Sequence, residues 1–215
     1  MPSTTNMLVL RVELRDTDPL VWRLIAVPSN YNLADLHELL QMVMGWENSH
    51  LHLFRINGKE YSADQQVEGT TRTNLKIAMA CKLAPKGFEY VYDFGDEWSH
   101  WITAVDKFKE PKDDALPLCL DGARSCPPED VGGPPGYQDF LEAFSDENHE
   151  NHEDMVEWVG TGFDPESFNA RHVSACLIGW WRQRQALQLA ASSIAVNIVE
   201  AELGLDFRKK QLKGG

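Results

Sequence analysis

Residues 8–27, LVLRVELRDTDPLVWRLIAV, decide how the rest of the chain is read. Leu8, Leu10, Val12 and Leu14 alternate with Val9, Arg11 and Glu13, and a period of two places one set on each face of an extended strand. Asp16-Thr17-Asp18-Pro19 carries turn chemistry, and a second alternating run covers Val21 to Val27. The segment therefore predicts a β-hairpin with a loop, which argues for hairpin pairing and against a doubly wound parallel sheet.

Working outward, Asn32 is placed to cap a helix with Asp35 at its N3 position, and Leu33, Leu36, Leu40, Val43 and Met44 recur at helical spacing before Gly45. His50 to Ile56 alternates again and ends in the turn signal Asn57-Gly58. Tyr61 to Asn74 reads as a polar loop, and the apolar stretch Leu75 to Leu83 is compatible with either helix or strand. Phe88 to Phe94 and Trp98 to Val105 are aromatic and β-branched, joined around Gly95-Asp96 as a second hairpin, with Phe94 and Trp98 as core anchors. The fold class that follows is α+β. Its mixed or antiparallel sheet has a β-grasp or roll-like N-terminal half (hairpin, helix, strand, second hairpin) covered by helices, and Leu10, Trp22, Leu24, Leu36, Leu40, Phe94 and Trp98 are expected in the core.

Beyond Pro111, five prolines from Pro117 to Pro135 and four glycines from Gly122 to Gly136 make a rigid, turn-rich loop. Tyr137, Phe140, Leu141 and Phe144 mark a short amphipathic helix, and Glu153 to Val159 a second, before the break at Phe163-Asp164-Pro165. From Gly179 to Gly215 the chain is one helix-forming run, with six Lys and Arg against three Asp and Glu. The expected organisation is a domain over 1–178, with a sheet-rich half (1–110) and an acidic Pro/Gly loop with helices (111–178), followed by a helical extension over 179–215.

With 215 residues, 43% hydrophobic, the chain can bury one core. Arg11 and Glu13 break the first apolar run and no basic segment precedes it, which reads as cytoplasmic with no membrane span. In that reducing compartment Cys81, Cys119, Cys126 and Cys176 are expected as thiols or metal ligands and not as disulfides. Net charge is −13, and between Glu110 and Glu166 sixteen Asp and Glu face only Lys112 and Arg124. Such a stretch repels phosphate, which disfavours nucleic acid as a partner and favours cations or basic protein surfaces, or serves solvation alone.

Three blocks carry a resemblance: YVYDFGDEWSH (Tyr90–His100), CLDGARSCPPEDVGGPPGY (Cys119–Tyr137) and WVGTGFDPESFN (Trp158–Asn169). With DPLVWRLIAVP and LADLHELLQMVMGW in the N-terminal half, they make the chain similar to the plasmid pRiA4b ORF-3-like family over Leu8 to Leu177. The resemblance implies an association with plasmids and mobile elements and names no reaction. The sequence departs from the family pattern at Ser174, where Asn is commoner, and after Leu177.

Candidate site residues come from two segments. The hairpin turn offers Asp93, Asp96 and His100, carboxylates and an imidazole suited to a divalent metal or to general acid/base work, although Asp and Gly also simply make turns. Prolines 127 and 128 with glycines 132 and 133 hold Glu129 and Asp130 in a rigid frame, as a site or a helix lead-in would. Cys119 and Cys126 lie farther apart than paired zinc cysteines usually do, and His149 and His152 share a face if they lie on one helix. His50 and His52 share a strand face and carry less weight. No GxGxxG, phosphate loop or nucleophile elbow is present, which disfavours nucleotide-dependent and acyl-transfer chemistry. Three readings follow: an accessory protein acting through protein contacts of its acidic half; a metal-dependent enzyme, a hydrolase for example, built on Asp93, Asp96, His100, Glu129 and Asp130; and a resolvase-like accessory to DNA transactions. Any site is expected where the Asp93–His100 turn meets the Cys119–Gly133 loop.

Overall fold

The computed structural model describes residues 3–62, 67 and 69–203, the side chains of 113 and 192–203 excepted. Strands β1 (Thr4–Leu14) and β2 (Trp22–Pro28) pair antiparallel, Met7 opposite Pro28 and Glu13 opposite Trp22. Leu10, Val12 and Leu14 are fully buried. Arg11 and Glu13 share the other face, where the Arg11 guanidinium lies 4.3 Å from the Trp22 ring centroid. In β2 the faces differ from the expectation: Trp22 and Leu24 are half-buried and Arg23 is 1% exposed. Arg23 can occupy the core because carbonyl oxygens satisfy it. Its Nε donates to Val43 O at 2.7 Å, and one terminal nitrogen donates to Trp22 O and Ala123 O, both at 2.8 Å. Its plane also stacks 4.1 Å from Phe168, and burial lowers its pKa.

Helix α1 (Leu33–Met44) starts with the predicted reciprocal cap, the Asn32 side chain accepting from Asp35 N–H while the Asp35 carboxylate accepts from Asn32 N–H. It ends at Gly45 with φ 103°, the left-handed conformation that a residue without Cβ adopts freely. Leu33, Leu36, Leu39 and Leu40 are all fully buried. Strands β3 (His52–Ile56) and β4 (Lys59–Tyr61) turn through Asn57 and Gly58, both at positive φ. The stretch that periodicity left undecided is helix α2 (Ile77–Leu83), buried only at Ile77 and Ala80. Two buried positions in seven are too few to reveal a period. Within the expected loop from Tyr61 to Asn74, residues 63–66 and 68 lie outside the described residues.

Strands β5 (Phe88–Tyr92), β6 (Trp98–Pro111) and β7 (Leu118–Ala123) complete one antiparallel seven-stranded sheet in the order β4-β3-β5-β6-β1-β2-β7. The architecture is α+β, with helices packed on that sheet. Helices α3 (Gly133–Ser145), α4 (His152–Val159) and α5 (Ala170–Leu203) follow. The C-terminal helix thus begins at Ala170 and not at Gly179. Asn169 caps it, its side chain accepting from His172 N–H at 3.0 Å. Ser174, on the first turns of α5, sits against edge strand β7: its Oγ donates to Cys119 O at 2.8 Å and accepts from Cys119 N–H at 3.0 Å. By its contacts the chain divides into two units, Met1–Leu177 and Ile178–Gly215. In the second, Leu187 and Leu189 are exposed, and the side chains of Ile194, Val196, Ile198 and Leu203, expected to add to that apolar surface, lie outside the described residues.

Candidate functional site

The turn between β5 and β6 runs from Asp93 to Glu97, and both residues take positive φ (55°). The Asp93 carboxylate accepts from Gly95 N–H at 2.8 Å through Oδ1, which fixes the turn and the carboxylate together. Left-handed backbone at Asp93 breaks the alternation, so Phe94 points outward at 43% exposure instead of anchoring the core, while Trp98 is fully buried. The loop that leads into α3 then closes on this turn. Asp96 Oδ2 accepts from Gly132 N–H at 3.1 Å, and a Cβ placed on Gly133 would lie 2.5 Å from the Asp96 carbonyl oxygen.

Closure of the loop brings Asp93, Glu129 and Asp130 around His50, which precedes β3. From His50 Nε2, Asp130 Oδ1 is 3.2 Å away, Glu129 Oε2 3.5 Å and Asp93 Oδ2 3.7 Å. Ligand atoms of His50, Asp93 and Asp130 all lie within 4.8 Å of one another, close enough to share a cation. Glu129 is aimed from its other oxygen: Oε1 accepts from Glu47 N–H at 2.7 Å and from the Tyr92 hydroxyl at 3.0 Å. That phenol accepts in turn from Ser49 N–H at 3.0 Å, and burial raises its pKa, so it stays a donor to the carboxylate. The side chains of Asp93 and Glu129 are nearly buried (10% and 13% exposed), whereas that of Asp130 is 75% exposed.

The remaining candidates are placed elsewhere. His100 turns inward between sheet and helix: its Nδ1–H donates to Trp98 O at 3.0 Å, its Nε2 accepts from Trp46 Nε1–H at 3.2 Å, and burial lowers its pKa to about 4. Both ring nitrogens are engaged, so no lone pair is left for a metal. Cys119 and Cys126 are free thiols; burial pushes the first up to about 11 and the second further, and Cys119 Sγ donates to Asp121 O at 3.6 Å. His149 precedes α4 and accepts from Asn151 N–H at 3.1 Å, whereas the His152 Nδ1–H donates to Ala143 O at 3.0 Å, so the two do not share one helix. His50 is the residue that sequence reasoning gave least weight. Its signal in the sequence was its place at the start of the alternating run His50 to Ile56, on a strand face shared with His52, whereas the structure sets it just before β3.

The family model described as plasmid pRiA4b ORF-3-like protein matches residues 6–172, from β1 to the start of α5. The chain belongs to the plasmid pRiA4b ORF-3-like family. It is 40% identical over 157 residues, 71% of its length and 80% of the relative's, to an uncharacterised protein, y4hQ, of Sinorhizobium fredii (strain NBRC 101917 / NGR234). It is also similar to the crystal structure of a protein of unknown function, MM3350, from Methanosarcina mazei Go1. That similarity has a TM-score of 0.71 at 33% identity, over 80% of this chain and 99% of the other. In this pRiA4b ORF-3-like domain, the turn, the closing loop and His50 all fall inside the matched stretch. Among the described residues, no helix is long and apolar enough to cross a membrane.

Proposed function

We propose that this pRiA4b ORF-3-like protein is an accessory factor of plasmids or mobile elements that works by holding a basic segment of a protein partner. The observation that carries the reading is a cleft of about 580 Å3 between α3 and α4. Asp130, Asp139, Glu142 and Glu150 rim it, and Phe140 and Trp158 line it. Trp158 is 48% exposed and rests edge to face on the buried Phe140 ring, 5.9 Å between centroids, so its indole stands open beside four carboxylates. Such a surface fits a Lys- or Arg-bearing segment whose aliphatic stems cover the Trp158 indole while its charges meet the rim. Nucleic acid would meet repulsion here, and the resolvase-like reading gains nothing from this surface.

Fluorescence anisotropy with a labelled Lys/Arg/Leu peptide, beside its Glu-substituted counterpart, tests the proposal on the full chain. The basic peptide binds, weakens with added salt, and loses about tenfold in affinity in Trp158→Ala and in the Asp139→Asn/Glu142→Gln double variant. Equal binding of the acidic peptide, or affinity unchanged in both variants, overturns it.

A further inference from the structure

We propose that His50, Asp93, Glu129 and Asp130 form a binding site for a divalent first-row transition cation of the zinc or manganese kind. His50 Nε2 is buried and makes no hydrogen bond: at 3.2, 3.5 and 3.7 Å from three carboxylate oxygens, none meets it with the geometry of an N–H donor. Glu129 Oε2 is likewise buried without a hydrogen-bond partner. Two orphan atoms of complementary ligand type, face to face at 3.5 Å, cost stability unless something sits between or beside them.

A single imidazole proton can satisfy at most one of the three oxygens. A cation satisfies all of them. Ligands held at roughly 2.0–2.2 Å from one ion stand about 3.0–3.5 Å apart in octahedral or tetrahedral arrangements. The separations from His50 Nε2, 3.2, 3.5 and 3.7 Å, lie close to that range. The ligand atoms of His50, Asp93 and Asp130 lie within 4.8 Å of one another, with Glu129 joining them from the His50 side. The carboxylates are also pre-set for the task. Asp93 spends Oδ1 on Gly95 N–H and Glu129 spends Oε1 on Glu47 N–H and Tyr92, which leaves one oxygen of each turned to His50. Partners that fix a ligand from behind are the usual support of a metal site.

The donor set selects the ion. One imidazole with carboxylates and no thiol suits zinc or manganese better than copper(I), and the imidazole gives both an advantage over magnesium and calcium, which prefer oxygen alone. Asp130 is the exposed member, so its side of the ion faces solvent and keeps room for a water.

Metal-stripped, untagged full-length protein, titrated with ZnCl2, MnCl2 and MgCl2, tests the site by thermal denaturation and calorimetry. Zinc or manganese raises the melting temperature with a stoichiometry of one, and magnesium does so more weakly. Asp130→Asn and His50→Gln each abolish that gain. Asp130 is exposed at positive φ, a conformation that Asn tolerates, so Asp130→Asn folds as the parent does without metal. No gain with any ion, or a gain that survives in both variants, overturns the proposal; the second outcome would place the metal elsewhere, and the first would leave the cluster to the His50 proton. Asp130 borders both sites, but the peptide assay above omits metal and its variants, at Trp158, Asp139 and Glu142, lie outside the metal cluster, so the two readings fail independently.

Discussion

A Cβ on Gly133 would stand 2.5 Å from the carbonyl oxygen of Asp96, closer than side-chain carbon approaches backbone oxygen in folded proteins. Gly133 has φ 70° and follows Gly132 with φ 94°. Two glycines in the left-handed region thus let the acidic loop lie flat on the β5–β6 turn, and the turn answers with the Asp96 to Gly132 hydrogen bond.

Gly133→Ala therefore combines a left-handed backbone penalty with a backbone clash, and a loss of about 2–4 kcal/mol is expected. Urea denaturation of the variant measures it. Gly162→Ala, where a Cβ meets nothing within 4 Å, serves as the control and stays near the parent.

Ser174 ties the first turns of α5 to the edge strand β7. Its hydroxyl both donates to and accepts from the backbone of Cys119, and an Asn side chain, with a carbonyl oxygen and an NH2 group, offers the same pair of bonds. Ser174→Ala leaves both Cys119 groups without their partner on the edge strand and costs on the order of 1–3 kcal/mol. Ser174→Asn costs clearly less. Equal losses for Ala and Asn in urea melts would show that size, and not hydrogen bonding, sets the cost.

The thiols separate by environment. Burial pushes Cys81 and Cys119 up to about 11 and Cys126 further still, so at pH 8 each has little thiolate, whereas Cys176 is exposed. Ellman's reagent on native protein should titrate one thiol fast, and Cys176→Ser should remove that phase. Four fast thiols would contradict the packing around β7 and α2.

What could be read from residues alone follows a physical division. The β1–β2 hairpin, the capped α1 and the β5–β6 hairpin were legible because period and caps are local properties. Arg23 was misplaced because its burial depends on carbonyls of Val43 and Ala123, the latter a hundred residues on. Phe94 was misplaced because left-handed backbone at Asp93 resets the faces. The meeting of turn and acidic loop was foreseen from rigid and aromatic flanks, and Asp93, Glu129 and Asp130 do come together there. His50 and not His100 faces these carboxylates, because which histidine does so depends on strand register and loop path.

His37 and His100 make folding pH-dependent. His37 is 7% exposed in a chain of hydrogen bonds: Gln41 donates to the Tyr90 oxygen at 2.9 Å, Tyr90 donates to Nδ1 at 2.8 Å, and Nε2–H donates to Asn48 Oδ1 at 2.9 Å. Its ring stacks on His52, 3.5 Å between centroids. Burial lowers both His37 and His100 from 6.5 to about 4, so each is neutral in the folded protein where the unfolded chain would be protonated. Between pH 6.5 and 4 the unfolded state binds more protons, and stability falls as pH falls. It is full above pH 6.5 and loses on the order of 3 kcal/mol per histidine by pH 4, with the slope flattening below. The unfolding free energy, measured by urea denaturation from pH 8 to pH 4, should decline with nearly two protons taken up per molecule. His37→Gln, which can keep one bond of the chain, should remove about half of that slope; a parent profile flat from pH 7 to pH 4.5 would show that neither imidazole is held neutral.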